Sequence, residues 1–144
     1  DCQVLYVSGN TMYEQIKDIK LSNNIKIVPY FDNLPSILKS SDLLITRAGA
    51  STIAEIESLS IPSIFIPSPF VANNHQYYNA LSLKKCNAAN MIEEKDLTTE
   101  KLISMVDEML ANPNVYKNNL SKLAINDASE VIYQKIKEML ENVK

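Results

Sequence analysis

The sequence predicts an α/β fold, a doubly wound parallel sheet followed by a helical C-terminal tail, and three observations carry that reading. Short apolar runs alternate with stretches of helical length from Gln3 to Ile92. The run Leu43-Leu44-Ile45 is apolar throughout instead of alternating, which is how a strand reads when helices cover both faces of its sheet. Beyond Thr98 the alternation stops and only helical periodicity remains.

Residues 3–7 (QVLYV) form a β-type run that stops at Ser8-Gly9-Asn10, and Thr11 with Glu14 has the spacing of a capping box, which predicts a helix to about Leu21. Asn23-Asn24 ends it. A second strand is expected over 25–28, after which Asn33 is placed to cap a helix that has Pro35 in its first turn and ends near Ser40. The third strand, 43–46, runs into Arg47-Ala48-Gly49-Ala50-Ser51-Thr52, which opens a helix over 52–59. The fourth strand, 63–66, lies between Pro62 and Pro67, and a loop to Asn74 leads to a helix over 75–85 and a fifth strand over 89–92. Such alternation implies right-handed crossovers and a parallel sheet that binds ligands at the carboxyl ends of its strands.

From Thr98 or Thr99 on, Leu102, Met105, Val106, Met109 and Leu110 recur at helical spacing, Pro113 starts another helix, and 127–143 predicts a last one. In that last helix Val131, Ile132, Ile136, Met139 and Leu140 make one stripe, read as packing against the sheet and not as a cofactor box.

At 144 residues the chain has the length of about one domain, and 46% apolar with 22% charged residues is ordinary for a globular protein. A net charge of −3 and a pI near 5.2, with no basic block, exclude nucleic acid as a partner. Cys2 and Cys86 share no metal-ligand or CxxC spacing and read as free thiols of a reducing compartment. No apolar run approaches the length of a membrane span and the N-terminus lacks a signal-peptide layout, so the cytoplasm is the expected location. The chain opens almost directly on a strand, as expected of a piece of a larger protein. Its only glycines, Gly9 and Gly49, are each expected where the backbone needs freedom.

Candidate chemistry concentrates between Ser41 and Asn79. Gly49 is expected to take a positive φ, Ser51 or Thr52 to cap the following helix, and Glu55 to lie near the end of its first turn. A helix N-terminus at the carboxyl end of a sheet offers unpaired N–H groups and a positive dipole end, which suit an anion such as a diphosphate. The same residues also make an ordinary strand-to-helix turn, since one glycine falls short of a phosphate-loop fingerprint. Glu55 is either a ribose carboxylate, accepting from two vicinal hydroxyls, or a solvated surface group. Gln76 and Asn79 share a helical face, which lets two amides bond adjacent sugar hydroxyls, and His75 either positions a phosphate or caps the helix. The sequence holds no Ser-His-Asp set, facing carboxylate pair or metal cluster, so the chain reads as one that binds more than it reacts.

These residues carry a resemblance. The segments DLLITRAGASTIAE (42–55), IPSIFIP (61–67) and NHQYYNA (74–80) closely resemble the C-terminal, donor-binding domain of the MurG family of peptidoglycan N-acetylglucosaminyltransferases, in glycosyltransferase family 28. The likeness runs from about Val4 to the last helix. It implies the Rossmann-like half of a two-domain GT-B fold that binds UDP-N-acetylglucosamine (UDP-GlcNAc), with a lipid-linked acceptor and the base belonging to the other half. By the same resemblance Ala50, Ser51, Thr52, Ile53, Ala54 and Glu55 surround the α-phosphate and ribose, Phe31 reads uracil through its backbone, and Gln76 with Asn79 holds the GlcNAc hydroxyls. Arg47, Gly49 and His75 complete the implied donor set. Two departures stand out: the family's preceding strand and Gly-Gly-Ser loop are not in this sequence, and Ala48 stands where serine is common.

The resemblance therefore implies one domain, 1–144, that is the donor half of an inverting transferase needing neither metal nor cofactor, with no catalytic residue of its own. The implied reaction moves GlcNAc from UDP-GlcNAc to undecaprenyl-diphospho-N-acetylmuramoyl-pentapeptide at the cytoplasmic face of the bacterial membrane. A subunit of another two-chain nucleotide-sugar transferase and a non-catalytic binding module are the alternatives. Gly49, Glu55, Gln76 and Asn79 together argue against the module, which needs none of them. A sheet edge exposed beside 3–7 is expected to invite self-association.

Overall fold

A computed structural model describes residues 2–125 and 127–142. Among them five strands and seven α-helices succeed one another in the order β1 (Val4–Val7), α1 (Asn10–Ile16), β2 (Ile25–Val28), α2 (Leu34–Ser40), β3 (Leu44–Thr46), α3 (Ala50–Leu59), β4 (Ser63–Phe65), α4 (His75–Lys85), β5 (Asn90–Met91), α5 (Thr99–Ala111), α6 (Pro113–Leu123) and α7 (Ala128–Glu141). Short 3₁₀ turns at Ala72–Asn74 and Glu94–Asp96 precede α4 and follow β5. All strand pairing is parallel, as the α/β reading requires. It forms two ladders and not one continuous sheet, β1-β2 and β3-β4-β5 with β4 central. The chain divides within α2 into two compact units, one up to Ile37 and one from Leu38 on.

In the first unit β1 pairs β2 in register from Val4↔Ile25 to Val7↔Val28. Gly9 then takes φ 75° and ψ 155°, a region that side chains exclude, and α1 begins at once at Asn10. The early start puts Thr11 inside the helix, so the expected capping box does not form and Glu14 pairs with Lys17 instead. The helix also ends at Ile16 and not near Leu21. None of its residues is buried, and a short helix without packing has little to extend it. As expected, β1 is exposed: among the described residues it pairs with β2 alone, and Tyr6 is 48% exposed.

The second unit is built on β4, whose three residues are all buried. Side chains alternate across a strand, so Phe65 packs on one face with Ala48, Ile56 of α3, Ala80 and Leu83 of α4 and Leu120 of α6. Ile64 packs on the other with Ile92, Met109 of α5 and Tyr116. Helices thus cover both faces, which explains the uninterrupted apolar runs. Thr98 caps α5 through its hydroxyl, which accepts from the Lys101 N–H at 3.2 Å, and Pro113 sits in the first turn of α6, where its missing N–H costs nothing. The stripe on α7 departs from expectation. Val131, Ile132, Ile136, Met139 and Leu140 are all more than half exposed and no residue of the helix is buried, because no described element packs over it. Val143, the expected end of this helix, lies outside the described residues.

Candidate functional site

The carboxyl ends of β3, β4 and β5 form one edge of the second unit. The ladder continues past the strands, with Ile66 N–H donating to Thr46 O and Ile92 N–H to Phe65 O, each at 2.9 Å. The segments leaving the three strands therefore emerge side by side. After β3 the chain turns through Arg47, Ala48 and Gly49 into α3.

That turn differs from its expected form in one respect with several consequences. Gly49 lies at φ −69° and ψ 146°, an extended conformation open to any residue, and it is itself the N-cap. Its carbonyl accepts the first helical bond, from Ile53 N–H at 2.9 Å. Ser51 and Thr52 are therefore inside the first turn and do not cap it, and Glu55 moves into the second turn, where it is exposed. The N–H groups of Ala50, Ser51 and Thr52 have no carbonyl four residues back within the helix, and glycine at the cap has no side chain to offer them. A Cβ at Gly49 would meet only Thr52 Oγ1, at 3.7 Å, which is ordinary contact. Neither backbone conformation nor packing among the described residues requires glycine here.

Two elements hold the turn in place. Asn79 Nδ2 donates to the carbonyl of buried Ala48 at 3.1 Å. Arg47 Nη1 donates to the carbonyl of Ile66 at 2.9 Å and forms an ion pair with Glu94. Gln76 acts similarly one loop further on, where its Oε1 accepts from Ser68 N–H at 2.9 Å. Each amide expected on a sugar thus commits one polar atom to bracing a loop, which leaves Asn79 Oδ1 and Gln76 Nε2 to meet a hydroxyl. His75 Nδ1 donates to Ala72 O at 2.9 Å, a local bond at the start of α4. Before it, Asn73 and Asn74 both take positive φ, 53° and 51°, which asparagine tolerates best among residues with a side chain.

A concavity of about 100 Å³ lies at the same edge, lined by Pro67, Pro69, Asn74, Tyr77, Glu93, Glu94 and Lys95. None of Ala50 to Glu55 lines it. Within it Lys95 pairs with Glu93 at 3.2 Å, which holds the ammonium above its ordinary pKa. Phe31 belongs to the first unit, half-buried in the turn after β2. The structure brings together Arg47, Gly49, the start of α3, Asn79 and, through their loop contacts, Gln76.

The profile of the glycosyltransferase family 28 C-terminal domain matches residues 1–135. The chain belongs to that family. Among its relatives, the UDP-N-acetylglucosamine--N-acetylmuramyl-(pentapeptide) pyrophosphoryl-undecaprenol N-acetylglucosamine transferase of Thermoanaerobacter sp. (strain X514) is 42% identical over 146 residues, an alignment covering 95% of this chain and 40% of that protein. The enzyme of the same name from Leuconostoc citreum (strain KM20) is 42% identical over 151 residues, covering 99% of this chain and 41% of that protein. The chain thus spans about two fifths of the length of the curated relatives it matches. Acinetobacter baumannii MurG superimposes with a TM-score of 0.79 at 22% identity, over 94% of this chain and 41% of that one. The glycosyltransferase VinC, solved in complex with dTDP, gives 0.72 at 21% identity over 85% of this chain and 29% of that one. At these identities the likeness establishes the fold, the Rossmann-like half of a GT-B glycosyltransferase.

Within this family 28 domain, sequence reasoning missed Glu94, Ser68 and the Ala48 carbonyl. The first sits in a charged Glu93-Glu94-Lys95 run that reads as solvated surface, and the others act through backbone atoms, which leave no mark on residue type.

Proposed function

We propose that this chain is the donor-binding part of an N-acetylglucosaminyltransferase that uses UDP-GlcNAc and acts on an undecaprenyl-diphosphate-linked N-acetylmuramoyl-pentapeptide. The observation that carries this reading is the start of α3: three N–H groups without helical partners, capped by a glycine that neither its own φ nor its neighbours demand. Glycine there leaves room for a ligand against the backbone, and a diphosphate is the ligand whose charge the helix end favours. Glu55, exposed one turn further on, accepts from the ribose hydroxyls; Asn79 Oδ1 and Gln76 Nε2 meet the sugar. The names of the family relatives supply the specific donor and acceptor.

In this reading the domain binds, orients and polarises. As the glycosidic bond to UDP breaks, charge grows on the diphosphate, and the fixed N–H groups of Ala50, Ser51 and Thr52 are already aimed to meet it. No metal or cofactor has a part in that step. In this reading the acceptor site and the base that deprotonates the acceptor belong to polypeptide outside this chain, at the cytoplasmic face of a bacterial membrane, where the product serves cell-wall growth and through it cell shape and division. No helix among the described residues is long and apolar enough to cross the bilayer. In this reading contact with the lipid-linked acceptor is peripheral. The exposed β1 is a site for pairing with a further strand, including one from a second copy.

Calorimetric titration of the chain with UDP-GlcNAc, UDP, UMP and uridine tests the reading. Affinity is expected to fall about tenfold or more between UDP and uridine, the scale of one charge-assisted hydrogen bond. Equal binding of UDP and uridine, or no binding of UDP-GlcNAc, contradicts it.

A further inference from the structure

The guanidinium of Arg47 ties together the segments that leave all three strands of the second unit. Arg47 is the residue after β3; it donates to the carbonyl of Ile66, the residue after β4, and pairs with Glu94, the first residue of the 3₁₀ turn beyond β5. The three are far apart in sequence but adjacent across the parallel ladder. Two residues beyond Arg47 is Gly49, the cap of α3. We propose that Glu94 is a positioning residue of the donor site: it holds Arg47 against the Ile66 carbonyl, and so fixes the turn that aims the first-turn N–H groups of α3.

This inference rests on the donor-binding reading above and deepens it. The planar fork of arginine suits it to two acceptors at once, which a lysine ammonium serves less well. The ion pair by itself adds little, since Arg47 is 52% and Glu94 32% exposed in their side chains and water screens such pairs. Its effect lies in geometry. With Glu94 present, the guanidinium is committed to the strand ends; with Asn79 on the Ala48 carbonyl, the turn is held from two sides.

The alternative is that Arg47 meets the phosphates directly and Glu94 only competes for it. The two ideas predict opposite signs for Glu94→Gln. Under positioning, the affinity of the chain for UDP-GlcNAc falls about 3- to 10-fold, because the helix end is less well aimed. Under direct contact, removing the competitor frees Arg47 and affinity rises. Arg47→Lys keeps the charge but loses the fork, so positioning expects no rescue and a double variant Arg47→Lys/Glu94→Gln no weaker than the worse single one.

Amide hydrogen exchange on the ligand-free chain gives a second readout. Glu94→Gln is expected to speed exchange at the turn 47–50 while Ile64 and Phe65 in the core of β4 stay protected. Unchanged exchange at 47–50, or UDP-GlcNAc affinity equal to or above wild type, overturns the proposal. A wild-type chain that fails to bind UDP-GlcNAc overturns the donor reading instead, and the exchange data then decide the strut on their own.

Discussion

Asn79 donates from Nδ2 to the carbonyl of Ala48 at 3.1 Å, joining α4 to the turn before α3 across 31 residues of sequence. The acceptor belongs to a fully buried residue and the bond is part-buried, so removing the amide takes away a hydrogen bond partly shielded from water. Asn79→Ala is expected to lower stability by about 0.5–1.5 kcal/mol. It should also weaken UDP-GlcNAc, because the helix end and the sugar contact both depend on Asn79. Denaturant unfolding and calorimetry on the same sample check both. A variant of unchanged stability would show that the bond is not maintained in solution.

Gly49 separates fold from function. Its extended φ and the 3.7 Å to the nearest atom mean that Gly49→Ala fits without strain. The substitution is expected to move stability by no more than about 1 kcal/mol, because the smaller entropy of the unfolded chain is offset by the poorer capping of α3 by alanine. UDP affinity is expected to drop at least tenfold as the methyl enters the space of the diphosphate. A loss well beyond that would instead mean that glycine is there for the fold.

Glu55 is exposed in the second turn of α3, so its replacement should cost the fold little. As the ribose acceptor, Glu55→Gln is expected to weaken UDP-GlcNAc by ~1.5–3 kcal/mol, the scale of a hydrogen bond to a charged group. Wild type should discriminate against the 2′-deoxy analogue and the variant should do so much less, since both changes remove one interaction. Additive losses would place the ribose elsewhere.

Glu57, on the same helix, has its carboxyl raised above the ordinary range by partial burial. A carboxyl with a raised folded-state pKa holds its proton more tightly in the folded than in the unfolded chain, so ionisation costs stability above that pKa. The cost fades as pH falls through the folded value towards 4.5. Glu57→Gln is therefore expected to raise the melting temperature at neutral pH and to match wild type below about pH 4. A constant difference at all pH values would rule out ionisation as its cause.

Period and punctuation in the sequence made the strands and most helices legible, because parallel strands covered on both faces must read as short apolar runs between turn residues. They also located the turn at Arg47–Thr52 and the amide-bearing start of α4. The conformation of that turn was not legible. Whether α3 starts at Ala50 or at Thr52 depends on which residue leaves the extended region, and residue type permits either. The pairing of Arg47 with Glu94 depends on strand order and register, which bring distant residues to one edge without altering either one's local pattern. The exposure of α7 was missed for a related reason: periodicity shows that a helix has an apolar face, but not what lies against it.

The central claim is that a diphosphate sits on the N-terminus of α3, and amide-resolved NMR of the chain titrated with UDP and with uridine tests it most directly. UDP is expected to shift the N–H resonances of Ala50, Ser51 and Thr52 strongly and saturably, while uridine leaves those three nearly in place. Saturable UDP binding without shifts at Ala50, Ser51 and Thr52, or equal shifts with uridine, would contradict the claim.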